Sequence, residues 1–357
     1  MDLDTAASGG MEGKGAYNRN AQLPARGAAM ATPLLEAASR EIALDLEGGP
    51  IVVADYGCSQ GRNSFAPMRA VIHILRQRLG PDQPILVCHE DLPVNDFNSL
   101  FDVLAHDPES YAAGDANLFP CAIGRSFYEQ VLPASYVNLG WSSYAAMWVS
   151  HIPAPLPGRI IALGATGEVR AIFDRQAADD WRRFLSLRAH ELRPGGALVV
   201  AVPGYDEAGL SGFESIMDDA TGVLADMVVE GHVTAQERER MVIGAWPRSR
   251  AELLEPFAAG QAFQGLRATA CETFPLEDGA WAEWRIDNDL AALASKQALF
   301  YRSIFAPSLA MALEGDADRA ADFSARLEDG VRRRRSRASL PINSFVSVIA
   351  ITKAEGD

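Results

Sequence analysis

The sequence predicts an α/β fold: an open, mostly parallel sheet covered by helices, with a helical cap inserted in its C-terminal half. Three observations carry this. Ile51–Tyr56 is a short apolar, β-branched run; Gly57 and Gly61 follow, then an apolar segment at helical spacing, Phe65–Leu79. A second apolar run, Ile85–His89, ends in acids one β-α-β unit later. Between Pro203 and Pro256, and again over Asp287–Leu313 and Ala317–Arg335, helical patterns replace strand patterns.

Taken in order, residues 1–10 are small and acidic and read as a disordered arm. Gly13 to Gln22 is glycine-rich and polar, and Pro33–Leu46 reads as a helix. Asn95-Asp96 caps a helix within Pro93–Ala105. Phe119–Ile123 and Ser135–Leu139 read as the third and fourth strands. Gln176–Leu192 is an amphipathic helix, and Arg193-Pro-Gly-Gly turns into a fifth strand, Ala197–Val202. Phe213–Gly231, Ala235–Met241 and Glu252–Phe257 are helical, Leu266–Phe274 is a sixth strand and Ser344–Thr352 the last. The expected division is an α/β domain of 11–203, 261–280 and 340–357, with a cap of 204–260 and 281–339.

The glycine turn is also the first candidate site. Glycines let a ligand approach the backbone where a Cβ would block it. Asp91, at the tip of the second strand, is placed to take both ribose hydroxyls of a nucleoside. Taken singly, Asp91 is a turn acid beside Pro93; with Asp55, Gly57 and Gly61 the nucleoside reading is favoured. The spacing D-x-G-x-x-x-G is not the dinucleotide G-x-G-x-x-G, which argues against a nicotinamide dehydrogenase. At the end of the fourth strand, Trp141, Tyr144, Met147 and Trp148 can wall an apolar pocket with indole and phenol donors, or pack as a helix face.

Composition sets outer bounds. Apolar residues make up 48% of the chain, enough for a sizeable core, and a net charge of −15 argues against a nucleic-acid partner. The basic run Arg332–Arg337 reads as a solvated helix end. Cys58, Cys88, Cys121 and Cys271 form no C-x-x-C pair, so neither zinc nor a disulfide framework is expected, and a reducing cytoplasm fits. The amino end has no signal-peptide pattern, and no apolar run reaches membrane-spanning length.

Five motifs occur in order: Met11-Glu-Gly-Lys-Gly-Ala-Tyr17-Asn-Arg-Asn20, Asp55-Tyr-Gly-Cys-Ser-Gln-Gly-Arg-Asn63, Asp91-Leu-Pro-Val-Asn-Asp-Phe-Asn98, Gly124-Arg-Ser-Phe-Tyr128 and Ser142-Ser-Tyr-Ala-Ala-Met-Trp148. Together they resemble the SABATH family of S-adenosylmethionine (SAM)-dependent carboxyl methyltransferases, from about Met11 to Lys353. The resemblance implies a Rossmann-like class I methyltransferase sheet, SAM as cofactor, a small carboxylic acid as substrate and a homodimer. It implies cofactor contacts at Tyr17, Asp55, Gly57, Cys58, Asn63, Asp91, Leu92, Ser126, Phe127 and Ser142. It implies a substrate pocket of Tyr144, Met147, Trp148, Met217, Trp246, Tyr301 and Phe345, with Trp148 donating to the carboxylate and Met147 matching a salicylate-type pocket. The family's serine and glutamine of the arm are replaced by Ala21 and Pro24, and Gln22 is the candidate to take over the glutamine's contact. Some relatives bind magnesium; no clustered ligand set is found for it, and no metal is expected.

A sulfonium methyl needs no base when the acceptor is an ionised carboxylate, which agrees with six scattered histidines and no His–acid pair in the motifs. The expected activity is therefore methyl-ester formation on a largely apolar acid. Methylation of a heterocycle nitrogen and cofactor binding without turnover stay open as alternatives.

Overall fold

The computed structural model describes residues 10–44, 49–315 and 317–355. The expected disordered arm lies outside the described residues except for Gly10. Strands β1 (Ile51–Tyr56), β2 (Ile85–Asp91), β3 (Leu118–Gly124), β4 (Val137–Ser143) and β5 (Leu192–Pro203) run parallel. β7 (Phe345–Lys353) lies antiparallel between β5 and β6 (Leu266–Pro275). The sheet order is β3-β2-β1-β4-β5-β7-β6, so the direction of winding reverses between β1 and β4. A crevice opens there, at the carboxyl ends of the parallel strands.

All six residues of β1 are buried, because helices cover both faces. On one face α2 (Gln22–Glu41) and α3 (Phe65–Leu79) set Leu35, Phe65, Met68 and Val71 against Ile51 and Val53. On the other, α5 (Gly167–Glu191) sets Trp181, Phe184 and Leu185 against Val52, Ala54 and Tyr56. Each such side chain, fully buried, contributes roughly 1.5–3 kcal/mol. Above the crevice α6 (Glu214–Val229), α10 (Leu290–Ala310) and α11 (Ala317–Arg335) pack on one another.

The boundaries differ from expectation where local chemistry outweighs periodicity. α2 begins at Gln22, eleven residues before Pro33, and runs through that proline. The start signal was Pro24, in the first turn where backbone N–H groups are unpaired anyway. The first short helix, α1 (Ala16–Asn20), ends just before it. The expected helix 287–313 is α10, and a further helix, α9 (Gly279–Asp287), precedes it across left-handed Asn288 (φ 56°), the two capped by Asp289 and Asp278 respectively. α4 (Phe97–His106) is capped by Asp96, which accepts from Ser99 N. α8 (Arg250–Leu254), after α7 (Ala235–Arg240), opens on a reciprocal Ser249–Glu252 cap and packs on β6 instead of joining α6. Among the described residues no helix is long and apolar enough to cross a membrane, and no group of three His, Cys, Asp or Glu could hold a metal.

Candidate active site

The turn after β1 is built on left-handed backbone at Gly57 (φ 82°), Ser59 (φ 49°) and Gly61 (φ 84°). Gly57 N and Cys58 N both donate to the Glu90 carbonyl, at 2.8 and 2.9 Å. A Cβ on Gly57 would sit 2.1 Å from Ala145 Cβ and 3.9 Å from Phe127 Cε1. The glycine thus lets the turn, the 144–148 segment and the loop after β3 meet at one place.

Asp91 is held ready beside it. One carboxylate oxygen accepts from Ser59 N at 2.7 Å, the other from Leu92 N at 2.8 Å. Burial pushes its carboxyl up to about 6, against the pull of those two N–H groups. Each oxygen keeps a lone pair for a ligand hydroxyl. Ser126 Oγ accepts from Tyr128 N, and the Phe127 ring lies edge-on to Phe184 at 5.8 Å. The glycine cradle, the Asp91 carboxylate and the aromatic loop suit an adenosine: this set fits SAM, and Asp91 and Phe127 are the residues that would hold its ribose and base.

The aromatic loop is braced by two charges that the motifs did not reveal. Arg188 and Glu191, both fully buried, pair at 2.9 Å on α5. Arg188 donates to the carbonyls of Phe127 and Glu129 and lies 4.1 Å over the Tyr56 ring. Glu191 accepts from Tyr56 Oη at 2.8 Å and from Val131 N at 2.6 Å. The available signal was two charges three residues apart on the apolar face of a helix.

Several expected cofactor contacts are committed elsewhere. Asp55 is 2% exposed; its Oδ2 accepts from Ser64 Oγ at 2.6 Å and lies 2.8 Å from His89 Nδ1. His89 Nε2 in turn lies 2.6 Å from Tyr111 Oη. Asp55, expected as a cofactor contact, underpins the turn through these bonds of its Oδ2. The buried Ser142 hydroxyl donates to Tyr56 O and ties β4 to β1. The Cys58 thiol donates to Ser59 O, and burial pushes it well above its ordinary pKa. Asn63 donates to Ala21 O and meets Tyr17, whose phenol burial pushes up. Gln60 donates to Glu12 O and Asn18 to Gln60 O, so the arm lies across the turn.

Beside the turn is a small, partly open apolar cavity. Tyr17, Tyr144, Met147, Trp148 and Met217 line it, as do Pro24, Phe213, Phe300, Ile304 and Phe305. Two polar groups in this apolar wall are unspent. Tyr144 Oη is buried with no partner among the described residues, and its phenol is pushed up by burial. The Trp148 indole N–H makes no hydrogen bond among the described residues, whereas its carbonyl accepts from Tyr128 Oη at 2.6 Å.

Four expected pocket residues fall outside this wall. Trp148 bridges Ala245 and Trp246 N donates to Met147 O. Alternation along that extended segment turns Ala245 and Pro247 inward and Trp246 outward. Trp246 stacks on Phe173 and donates to Glu252. Tyr301 is fully buried behind Phe305, and Phe345 sits at the start of β7 opposite Pro275. Gln22 is exposed and lines a neighbouring cleft, while Pro24 takes the cavity position.

Comparison with known proteins agrees with this geometry. A sequence profile of the SAM-dependent carboxyl methyltransferases matches residues 4–336. The chain is 32% identical over 225 residues to Methyltransferase LUC1 of Fusarium sp, a match spanning 62% of this chain and 59% of that protein. It is 28% identical over 258 residues to a benzoic acid/salicylic acid carboxyl methyltransferase of Petunia hybrida, spanning 68% of this chain and 72% of that one. Loganic acid methyltransferase, solved with S-adenosylhomocysteine (SAH), superposes over 97% of this chain and 99% of its own with a TM-score of 0.76 at 20% identity, a likeness of fold. With the profile covering most of its length, the chain belongs to the family of SAM-dependent carboxyl methyltransferases.

Proposed function

We propose that the protein forms the methyl ester of a small acid with an apolar body, aromatic acids first among them. The observation that carries this is the pair of unspent donors, Trp148 N–H and Tyr144 O–H, in an otherwise apolar cavity beside the glycine turn. Bound SAM supplies an electrophilic methyl on a sulfonium whose leaving group is a neutral thioether. The chain then has three tasks. Asp91 and Phe127 fix the nucleoside. Trp148 and Tyr144 hold the carboxylate so that one oxygen faces the methyl at contact distance. The apolar walls strip water from both charges, which attract more strongly in a dry site. Neutral donors suit a carboxylate nucleophile, because a paired guanidinium would hold both oxygens and blunt it. Met147 packs against a flat ring as readily as against an alkyl chain, and the aromatic wall favours the ring.

The test is a radiolabelled methyl-transfer screen over aromatic, indolic, terpenoid and fatty acids, with product masses to separate ester from N-methyl. Trp148→Phe keeps the ring and removes the donor. A hydrogen bond to a charged group is worth about 1.5–3 kcal/mol, so kcat/KM should fall roughly 10- to 150-fold. SAH binding with no transfer to any acid would sink the proposal.

A further inference from the structure

Among the described residues the cavity wall carries no cation, although its proposed ligand is an anion and the chain carries a net charge of −15. A second, polar cleft adjoins it, with about 890 Å³ of empty space between the start of α2 and helices α9 and α10. Phe300 belongs to both walls, and the consecutive residues Leu23 and Pro24 face the cleft and the cavity respectively. Three cations line the cleft: Arg19, Arg26 and Lys296. Lys296 is neutralised by Glu283. Asp278 accepts from the neutral donors Ala280 N, Trp281 N, Gln297 Nε2 and Ile342 N, which fix its carboxylate in place and leave its charge, so the lining sums to +1. Arg19 donates to Lys14 O and Arg26 to Glu277 O, and neither has a carboxylate partner among the described residues. Two exposed guanidiniums without a direct carboxylate partner among the described residues thus face one cleft of net positive lining, with the Gln22 carboxamide between them in sequence.

We propose that this cleft is the receiving vestibule for the carboxylate substrate: Arg19 and Arg26 draw the acid in, and it passes Phe300 into the apolar cavity. The inference rests on the acid-methylating reading above. It separates two demands that conflict in one site. Capture of an anion by an acidic protein needs positive potential, and methyl transfer needs a carboxylate free of any guanidinium. Exposed cations act on the approach of a ligand more than on its final affinity.

The experiment uses the acid of the screening panel that the wild type esterifies fastest. Its binding to the SAH complex is followed by stopped-flow tryptophan fluorescence. In the double variant Arg19→Gln, Arg26→Gln the association rate should fall about tenfold at low salt, and the gap should close as salt rises. The dissociation rate and SAH affinity should match wild type, and Arg19→Lys with Arg26→Lys should restore the rate. An unchanged rate at low salt overturns the proposal, as does a loss that persists at high salt. Weakened SAH binding in the double variant also overturns it, since the arginines would then be holding the arm. If the wild type esterifies no acid, the reading beneath fails and this inference falls with it.

Discussion

Gly57→Ala tests whether the site depends on one missing Cβ. The residue adopts φ +82°, which costs an L side chain roughly 1–2 kcal/mol. The added methyl would also lie 2.1 Å from Ala145 Cβ, far inside the ordinary carbon contact of about 3.5–4 Å. Overpacking of this kind costs about 1–3 kcal/mol. The sum, roughly 2–5 kcal/mol, is a large part of the stability of a typical domain. The two contributions separate experimentally, because Ala145→Gly removes the clash and leaves the backbone penalty. Urea unfolding and SAH calorimetry on the single and double variants measure both. We expect the double variant to recover the overpacking share and keep a deficit of about 1–2 kcal/mol. Wild-type stability and affinity in Gly57→Ala would refute the cradle. A double variant no better than the single would refute the placement of Ala145 against the turn.

Asp91 must be ionised to accept from two ribose hydroxyls, so SAH affinity should rise with pH through about 6 and level off above it; Asp91→Asn should bind weakly and without that slope in calorimetry. The sign for stability is opposite: a carboxyl raised by burial stabilises the ligand-free fold at low pH and loses that contribution as pH climbs through about 6, a trend that urea midpoints of Asp91→Asn should lack. Arg188→Leu leaves Glu191 buried and unpaired, which should cost about 3–5 kcal/mol in urea unfolding and weaken SAH binding through the loop at Phe127. Met217→Trp adds bulk to the cavity wall, so the acid panel should lose its largest members first while SAH affinity holds.

The strands were legible because both faces of a parallel sheet are buried, so β1 and the helix after it read as apolar runs with marked ends. What periodicity could not give was side-chain direction in extended segments. The resemblance assigns Trp246 to the pocket, yet the bridge between Trp148 and Ala245 turns it away. That bridge joins residues far apart in sequence, and no local pattern encodes it. Tyr301 fails for the helical version of the same reason: Phe300, Ile304 and Phe305 present the cavity face of α10, and Tyr301 points behind them. The buried bond of Asp55 to His89, which in turn meets Tyr111, was not legible in the motif, since those residues come from other elements.

Around the pocket, the charged groups and the neutral donors of the site have different tasks. Asp55 with His89, and Arg188 with Glu191, bond to neighbouring elements of the fold, and groups tied in this way brace. Tyr144 and Trp148 line the apolar pocket, the Tyr144 hydroxyl is buried without a partner, and the Trp148 indole N–H makes no hydrogen bond among the described residues. An ionised carboxylate meeting a sulfonium needs no proton moved. The chain's contribution is then alignment and dryness, which neutral donors in an apolar wall supply and a His–acid pair does not. For such a reaction the informative residues are those with unmet hydrogen bonds, not those with shifted acidity.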